Sequence, residues 1–228
     1  MLRVGLTGEL GSGKSTVARL LAEHGAIVLS SDDMGRAMMQ PGQPVFDAIV
    51  SHLGTAILTT AGTLDRPALA ALAFDPVRPR IEELNEIIHP AVLAAQERRI
   101  ATLAHSQPDS IVVVESALLF TTRHVGGEEP WRKRFDRIIL VTAPDDVKIK
   151  RFLHRTAGTR SLSPTERDTL IADAERRLAA QRIAPDLAGQ CIEIENNGTP
   201  AALATRTEEV FRQLRAVADD VQARASSQ

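Results

Sequence analysis

The stretch Gly8-Glu9-Leu10-Gly11-Ser12-Gly13-Lys14-Ser15 decides how this sequence folds. It has the spacing G-x-x-x-x-G-K-[ST], with the apolar run Leu2 to Leu6 before it and Val17, Leu20 and Leu21 at helical spacing after it, up to Gly25. The reading is strand, loop, helix. Glycines let the backbone fold around an anion so that successive N–H groups point inward, and a helix beginning near Lys14 adds the positive end of its dipole. Gly8, Gly11, Ser12, Gly13, Lys14, Ser15 and Thr16 are therefore the expected phosphate binders for a nucleoside triphosphate. Lys14 reaches the β and γ phosphates, Ser15 ligates Mg²⁺ between them, and Thr16 hydrogen-bonds the α phosphate. A turn that only joined a strand to a helix would have no need of Lys14 and Ser15 in that order.

Outward from the loop, further apolar or β-branched runs occur at Ala26 to Leu29, Ile111 to Val114, Ile138 to Thr142 and Cys191 to Ile194. The middle ones are almost continuously apolar, the pattern of strands buried on both faces in a parallel sheet. Roughly 80 residues between the second and third runs hold no convincing strand and are broken by Pro41-Gly42-Gln43-Pro44 and Pro67. They read as a helical insertion with helices over Val45 to Leu53, Arg66 to Phe74, Val77 to Ile88 and Ala91 to His105, Pro90 fitting the first turn of the last. A second insertion follows Asp145, in which Ser163 caps a helix opened by Pro164 and Glu166 completes the capping pattern. The tail is helical from Pro200 to about Ala223.

The composition sets bounds. With 228 residues, 43% of them hydrophobic and 25% charged, the chain can bury a sizeable core. A formal net charge of -2 gives no global attraction to nucleic acid or to an anionic membrane, which points to a small-molecule partner. Cys191, the single cysteine, excludes an internal disulfide and fits a reducing cytoplasm. No leader or membrane-length apolar run is seen. The six histidines show no three- or four-residue pairing suited to a helical zinc site.

Four residues outside the loop carry the expected chemistry. Asp32 follows the second strand, whose carboxyl end in a parallel sheet lies beside the phosphate loop, where a carboxylate can take the proton of an acceptor hydroxyl. The competing reading, stronger for Asp33, is a helix start. Glu115 ends the third strand, the place of an acid that holds the Mg²⁺ shell; a helix cap or an Arg partner is the other reading. Arg151 and Arg155 stand one helical turn apart and could close over the triphosphate as part of a lid that excludes water.

The order of motifs resembles that of the dephospho-coenzyme A kinase family across nearly the whole chain. Gly5-Leu6-Thr7-Gly8 with Gly11 to Thr16 is similar to the family's opening, and Ser31-Asp32 through Arg36, with Pro41-Gly42, to its acceptor segment. Leu64-Asp65-Arg66 with Leu69 and Phe74, and Leu84-Asn85 with Ile88-His89-Pro90, resemble its coenzyme-binding helices. Leu118-Leu119-Phe120, the Arg151 lid, Arg177 to Gln181 and Asn196-Asn197-Gly198 complete the series. The resemblance implies an α/β phosphate-loop nucleoside triphosphatase fold of three layers, with a parallel sheet, a helical acceptor insertion and an Arg-rich lid. It implies transfer of the ATP γ-phosphate to the 3′-hydroxyl of dephospho-coenzyme A with Asp32 as base. Arg36, Arg66 and His89 then serve the acceptor and Asn197 the nucleotide. The corresponding division is a nucleotide core of 1–35, 107–145 and 183–228, an acceptor insertion of 36–106 and a lid of 146–182, in a cytoplasmic protein that is a monomer or a weak oligomer.

Four positions depart from the family's pattern: Glu9 for a second Gly, Ser30 for the first Asp of Asp-x-Asp, Ala117 for Pro and Thr121 for Glu. The stretch Arg123 to Arg137 is longer than usual, and its Trp131-Arg132-Lys133-Arg134 cluster reads as a solvated loop or as a contact for a polyanion.

Overall fold

A computed structural model describes residues 1–75, 77–120 and 130–225. The chain divides into two compact units, one of residues 1–29, 103–120 and 130–225, the other of residues 30–102.

The first unit is built on a five-stranded parallel sheet: β1 (Leu2–Thr7), β2 (Ile27–Ser30), β3 (Ile111–Glu115), β4 (Arg137–Thr142) and β5 (Ile192–Glu195), in the spatial order β2-β3-β1-β4-β5. β1 pairs in parallel with β3, Leu2 opposite Ile111, and with β4, Val4 opposite Arg137; β4 pairs likewise with β5. β1 is thus central, and the loop that leaves its carboxyl end emerges between β3 and β4. One face of the sheet presents Leu2, Val4, Leu6, Ile111, Val113, Ile139 and Val141 to Val17 and Leu21 of α1 (Lys14–Glu23) and to Leu203, Val210 and Leu214 of the carboxyl-terminal helix Pro200–Ala225. On the opposite face Gly5 leaves room for a close packing partner, because a Cβ there would sit 2.6 Å from Leu119 Cδ1 and 3.2 Å from Phe135.

The second unit is helical. α2 (Ser31–Met38), α3 (Pro44–Leu53) and α4 (Arg66–Ala73) pack with α5 (Ile81–Ser106) around Val45, Ile49, Leu53, Ile57, Ala73 and Leu84, with Met38 and Met39 against them. The two helices expected over Val77 to Ile88 and Ala91 to His105 are one, α5, and Pro90 lies inside it instead of in a first turn. A proline there forfeits one backbone hydrogen bond, while neighbouring Ile87, Ile88 and Ala91 stay packed on the core. Val77 lies ahead of the helix, where its N–H and that of Arg78 donate to the Asp75 carboxylate.

Beyond β4 the first unit continues through α6 (Asp145–Ala157), α7 (Pro164–Gln181) and α8 (Pro185–Ala188) to β5 and α9 (Pro200–Ala225). α7 starts on a complete capping box: Ser163 Oγ accepts from Glu166 N–H, and the Glu166 carboxylate accepts from Ser163 N–H. Cys191 lies just before β5, not within it, and donates its thiol to the Leu187 carbonyl, so it ends the α8 turn. Burial and Glu193 push its pKa up to about 11. Trp131 is buried in a 3-10 turn, edge-on to Phe120, with Arg132 over its ring, so it packs as core; Thr121 and residues 122–129 lie outside the described residues.

Candidate active site

β1 delivers the chain into the loop and α1 takes it up at Lys14, with Gly13 as the residue before the helix at a φ of 100°. Gly8 and Gly11 also have positive φ, and all three are crowded: a Cβ on Gly8 would meet the Val141 carbonyl at 2.4 Å, one on Gly11 the Lys148 carbonyl at 2.4 Å, and one on Gly13 the Asn196 amide at 2.1 Å. Glycine is thus required by conformation and by space.

The Ser15 hydroxyl donates to Glu115 Oε1 at 2.8 Å. The pair expected to hold Mg²⁺ is brought together from positions 100 residues apart. A hydroxyl and a carboxylate are the hard oxygen donors that Mg²⁺ takes alongside substrate phosphates. No cluster of three or more His, Cys, Asp or Glu able to cage a metal occurs among the described residues. Lys14 Nζ lies 3.3 Å from the Glu9 carbonyl. Thr16 is exposed on the first turn of α1, and Ser12 is buried with its hydroxyl making no hydrogen bond.

Arg151, on α6, lies against the loop. Its Nη1 approaches the Gly11 and Ser12 carbonyls, both at 3.4 Å, and its Nη2 donates to the Asn196 carbonyl at 3.0 Å and to Asn196 Oδ1 at 3.2 Å. Arg155, one turn on, is exposed. Of the remaining insertion arginines, Arg160 pairs with Glu166, Arg176 and Arg177 with Asp173, and Arg182 with Asp145.

Three residues support the loop in roles that were not assigned from sequence. Asn196 is buried, its Nδ2 donating to the Ser12 carbonyl at 2.8 Å and its own N–H to Thr142 O at 2.7 Å. Gln181 Oε1 accepts the Leu10 N–H at 2.7 Å. Lys148, 5% exposed, bonds the Glu9 carboxylate, which answers where that acid points: sideways onto α6. Asn196 and Gln181 fall in the Asn196-Asn197-Gly198 and Arg177 to Gln181 motifs, which gave them no such role, and Lys148 carried no signal beyond its charge. Asn197, the asparagine expected at the nucleotide, donates to Glu195 Oε1 at 2.6 Å and lines an open cavity of about 670 Å³ with Glu193, Gly198, Ala202 and Arg206.

In the helical unit Asp32 and Asp33 occupy the first turn of α2, both exposed, and the cap is Ser30, whose Oγ accepts the Asp33 N–H at 3.3 Å. The capping role weighed for the aspartates therefore falls to Ser30, the position that departs from the family's pattern, and Asp32 is left with its carboxylate available for other work. Gln96, 1% exposed, donates to Ser31 Oγ at 2.8 Å, and a Cβ on Gly35 would already lie 3.7 Å from Ile88 and Val92, so α2 is anchored on α5 on both sides of Asp32. Arg36 pairs with Asp33 at 2.9 Å. Arg66 opens α4 after the Asp65 cap and lines a cavity of about 310 Å³ with Met39, Gln40, Pro41, Leu64 and Leu69. His89 stands mid-helix in α5, partly buried.

Comparison with known proteins places these features. The dephospho-CoA kinase family model matches residues 2–186. The dephospho-CoA kinase of Moorella thermoacetica is 39% identical over 181 residues, 79% of this chain and 76% of that protein. The Thermobifida fusca enzyme is 34% identical across 94% of this chain and 96% of its own. Among solved structures, Thermus thermophilus TT1252 superposes with a TM-score of 0.65 at 28% identity, covering 93% of this chain and 97% of that one. The Campylobacter jejuni dephospho-CoA kinase shares the fold, with a TM-score of 0.62 at 17% identity over 94% and 97% of the two chains. No helix among the described residues is long and apolar enough to cross a membrane. A phosphate loop at the end of a central parallel strand, facing a strand-end acid in a chain matched from residue 2 to residue 186, thus belongs to the dephospho-CoA kinase family of ATP-dependent kinases.

Proposed function

We propose that this enzyme transfers the γ-phosphate of ATP to the 3′-hydroxyl of dephospho-coenzyme A, with Asp32 as base and Lys14 on the transferring phosphoryl group. The carrying observation is the 2.8 Å approach of Ser15 to Glu115 at the mouth of the phosphate loop, in a chain of this family. Gly8, Gly11, Ser12, Gly13, Lys14, Ser15 and Thr16 hold the triphosphate through backbone N–H groups, an ammonium and hydroxyls. Ser15 and Glu115 would hold Mg²⁺, which would supply positive charge to neutralise the phosphates. Asn197 borders the nucleotide.

In the transfer, the acceptor oxygen forms a bond to the γ phosphorus as the bond from that phosphorus to the ADP oxygen breaks. The hydroxyl proton passes to the Asp32 carboxylate and ADP leaves with the electron pair. Arg36, Arg66 and His89 bind the anionic acceptor, and Arg151 and Arg155 supply positive charge from a lid over 146–182. The insertion 36–106 serves the acceptor, and the segments 1–35, 107–145 and 183–228 serve the nucleotide. The enzyme acts in the cytoplasm as a monomer or a weak oligomer, on a small molecule and without nucleic acid.

Two measurements test this reading. Purified protein with Mg-ATP should form coenzyme A from dephospho-coenzyme A in preference to phosphorylating nucleoside monophosphates or shikimate; no product with the first acceptor refutes the assignment. Asp32→Asn should lower kcat by about a hundred- to ten-thousand-fold while ATP binding is retained, because a general base contributes on that scale. Undiminished turnover removes Asp32 from that role.

A further inference from the structure

Glu9 places an acid inside a segment otherwise made of anion-attracting donors. Its side chain is 17% exposed and its carboxylate is bonded by Lys148 Nζ, whose side chain is 6% exposed. The same ammonium reaches Asp145 Oδ1 at 2.7 Å. Asp145 has a second cation, Arg182, at 3.0 Å, and its carboxyl is held below the ordinary range, chiefly by the Lys148 hydrogen bond. Glu9 receives its charge compensation from Lys148. The nearly buried Lys148 ammonium is thus paired with two carboxylates.

The backbone of Lys148 is engaged as well. Its carbonyl lies where a Cβ on Gly11 would come within 2.4 Å, so α6 is seated directly on the loop. Gln181 on the Leu10 N–H and Arg151 toward the Gly11 and Ser12 carbonyls complete the same attachment.

We propose that Lys148 is a positioning residue for the phosphate loop: it cancels the Glu9 charge and turns that carboxylate onto α6, so that the loop's mouth remains attractive to a triphosphate. The inference rests on the reading that this loop holds ATP. An uncompensated carboxylate within the loop opposes a polyphosphate through a medium of reduced dielectric, where charges several ångströms apart still interact appreciably. Glu9 and Lys148 therefore act as a matched pair, and the cost of losing Lys148 lies in the charge it leaves behind.

The test is a double-mutant cycle read as the KM for ATP at saturating dephospho-coenzyme A. Lys148→Met raises that KM by about tenfold or more, with a smaller loss in kcat, since the unpaired charge acts on nucleotide binding. Adding Glu9→Gln to Lys148→Met returns KM to within about threefold of the native enzyme, the non-additivity expected of two coupled charges. A merely structural role for Lys148 gives no such rescue, and a double variant as impaired as Lys148→Met overturns the proposal. Glu9→Gln alone, at a partly exposed position, keeps the question open to refutation even if Lys148→Met does not fold. It lowers the KM for ATP, and a tenfold rise instead overturns the proposal. Lys14→Ala separates the two levels: retention of native Mg-ATP affinity in that variant refutes the phosphate-loop reading itself, independently of Lys148.

Discussion

Truncating Asn196 to alanine probes the support of the phosphate loop most directly. The side chain makes two bonds, Nδ2 donating to the Ser12 carbonyl at 2.8 Å and Oδ1 accepting from Arg151 Nη2 at 3.2 Å. Removing it leaves the Ser12 carbonyl, among the described contacts, with the weak approach of Arg151 Nη1 at 3.4 Å, in a place where Asn196 is 7% exposed. A neutral hydrogen bond contributes about 1 kcal/mol and one to a charged group about 1.5–3 kcal/mol, so the loss is roughly 2–4 kcal/mol. For a domain of this size each kcal/mol shifts Tm by about 2–4 °C, which gives an expected fall of about 5–15 °C by differential scanning fluorimetry. The functional effect is separate. With Gly13 no longer held against the Asn196 amide the loop gains freedom, and kcat/KM for ATP should fall at least about tenfold, since small displacements of positioned groups are costly. Asn196→Asp should be worse than alanine, because it keeps an acceptor for Arg151 but sets an oxygen against the Ser12 carbonyl. An alanine variant with Tm within about 1 °C of native and unchanged kcat/KM would refute the reasoning, as would an aspartate variant as active as the native enzyme.

Three further outcomes are expected. Glu115→Gln should raise the Mg²⁺ concentration needed for half-maximal rate by about 10–100-fold, the usual effect of losing an outer partner of a metal ligand; an unchanged Mg²⁺ titration removes Glu115 from that role. Ser163→Ala should destabilise the protein by about 1 kcal/mol through the lost cap of α7, measured by urea denaturation, with no effect if the capping box is absent in solution. Glu166 is held at a pKa of about 2, first by the Ser163 N–H and then by Arg160, against an ordinary 4.5. Its depressed value means the contribution is present above 4.5 and is lost as pH falls from there through about 2. The Tm of Glu166→Gln should therefore depend less steeply on pH than the native Tm across that window, and parallel curves would contradict the assignment.

The fold was largely legible because its signals are local. All five strands and most helices follow from apolar runs, helical spacing and caps, and Ser163 with Pro164 opens α7 as its residues require. The uninterrupted α5 was not legible, since a proline normally marks a boundary and only the packing of Ile87, Ile88 and Ala91 around Pro90 keeps the helix going. Ser30 illustrates a subtler case. Its sequence position matched a missing acid, whereas its hydroxyl caps α2, and which of two neighbouring polar residues takes the cap depends on where the strand stops.

By itself the sequence determined the phosphate loop, the strand that feeds it and the helix that leaves it, because these depend on residue type at short spacing. Tertiary structure decided what holds the loop. Lys148 lies 139 residues from Glu9 and Asn196 lies 184 from Ser12, and no periodicity links such positions. They meet because β1 is the central strand and β4, the neighbour of both β1 and β5, brings α6 and the turn after β5 to its carboxyl end, where backbone carbonyls and a partly buried acid are each given a partner.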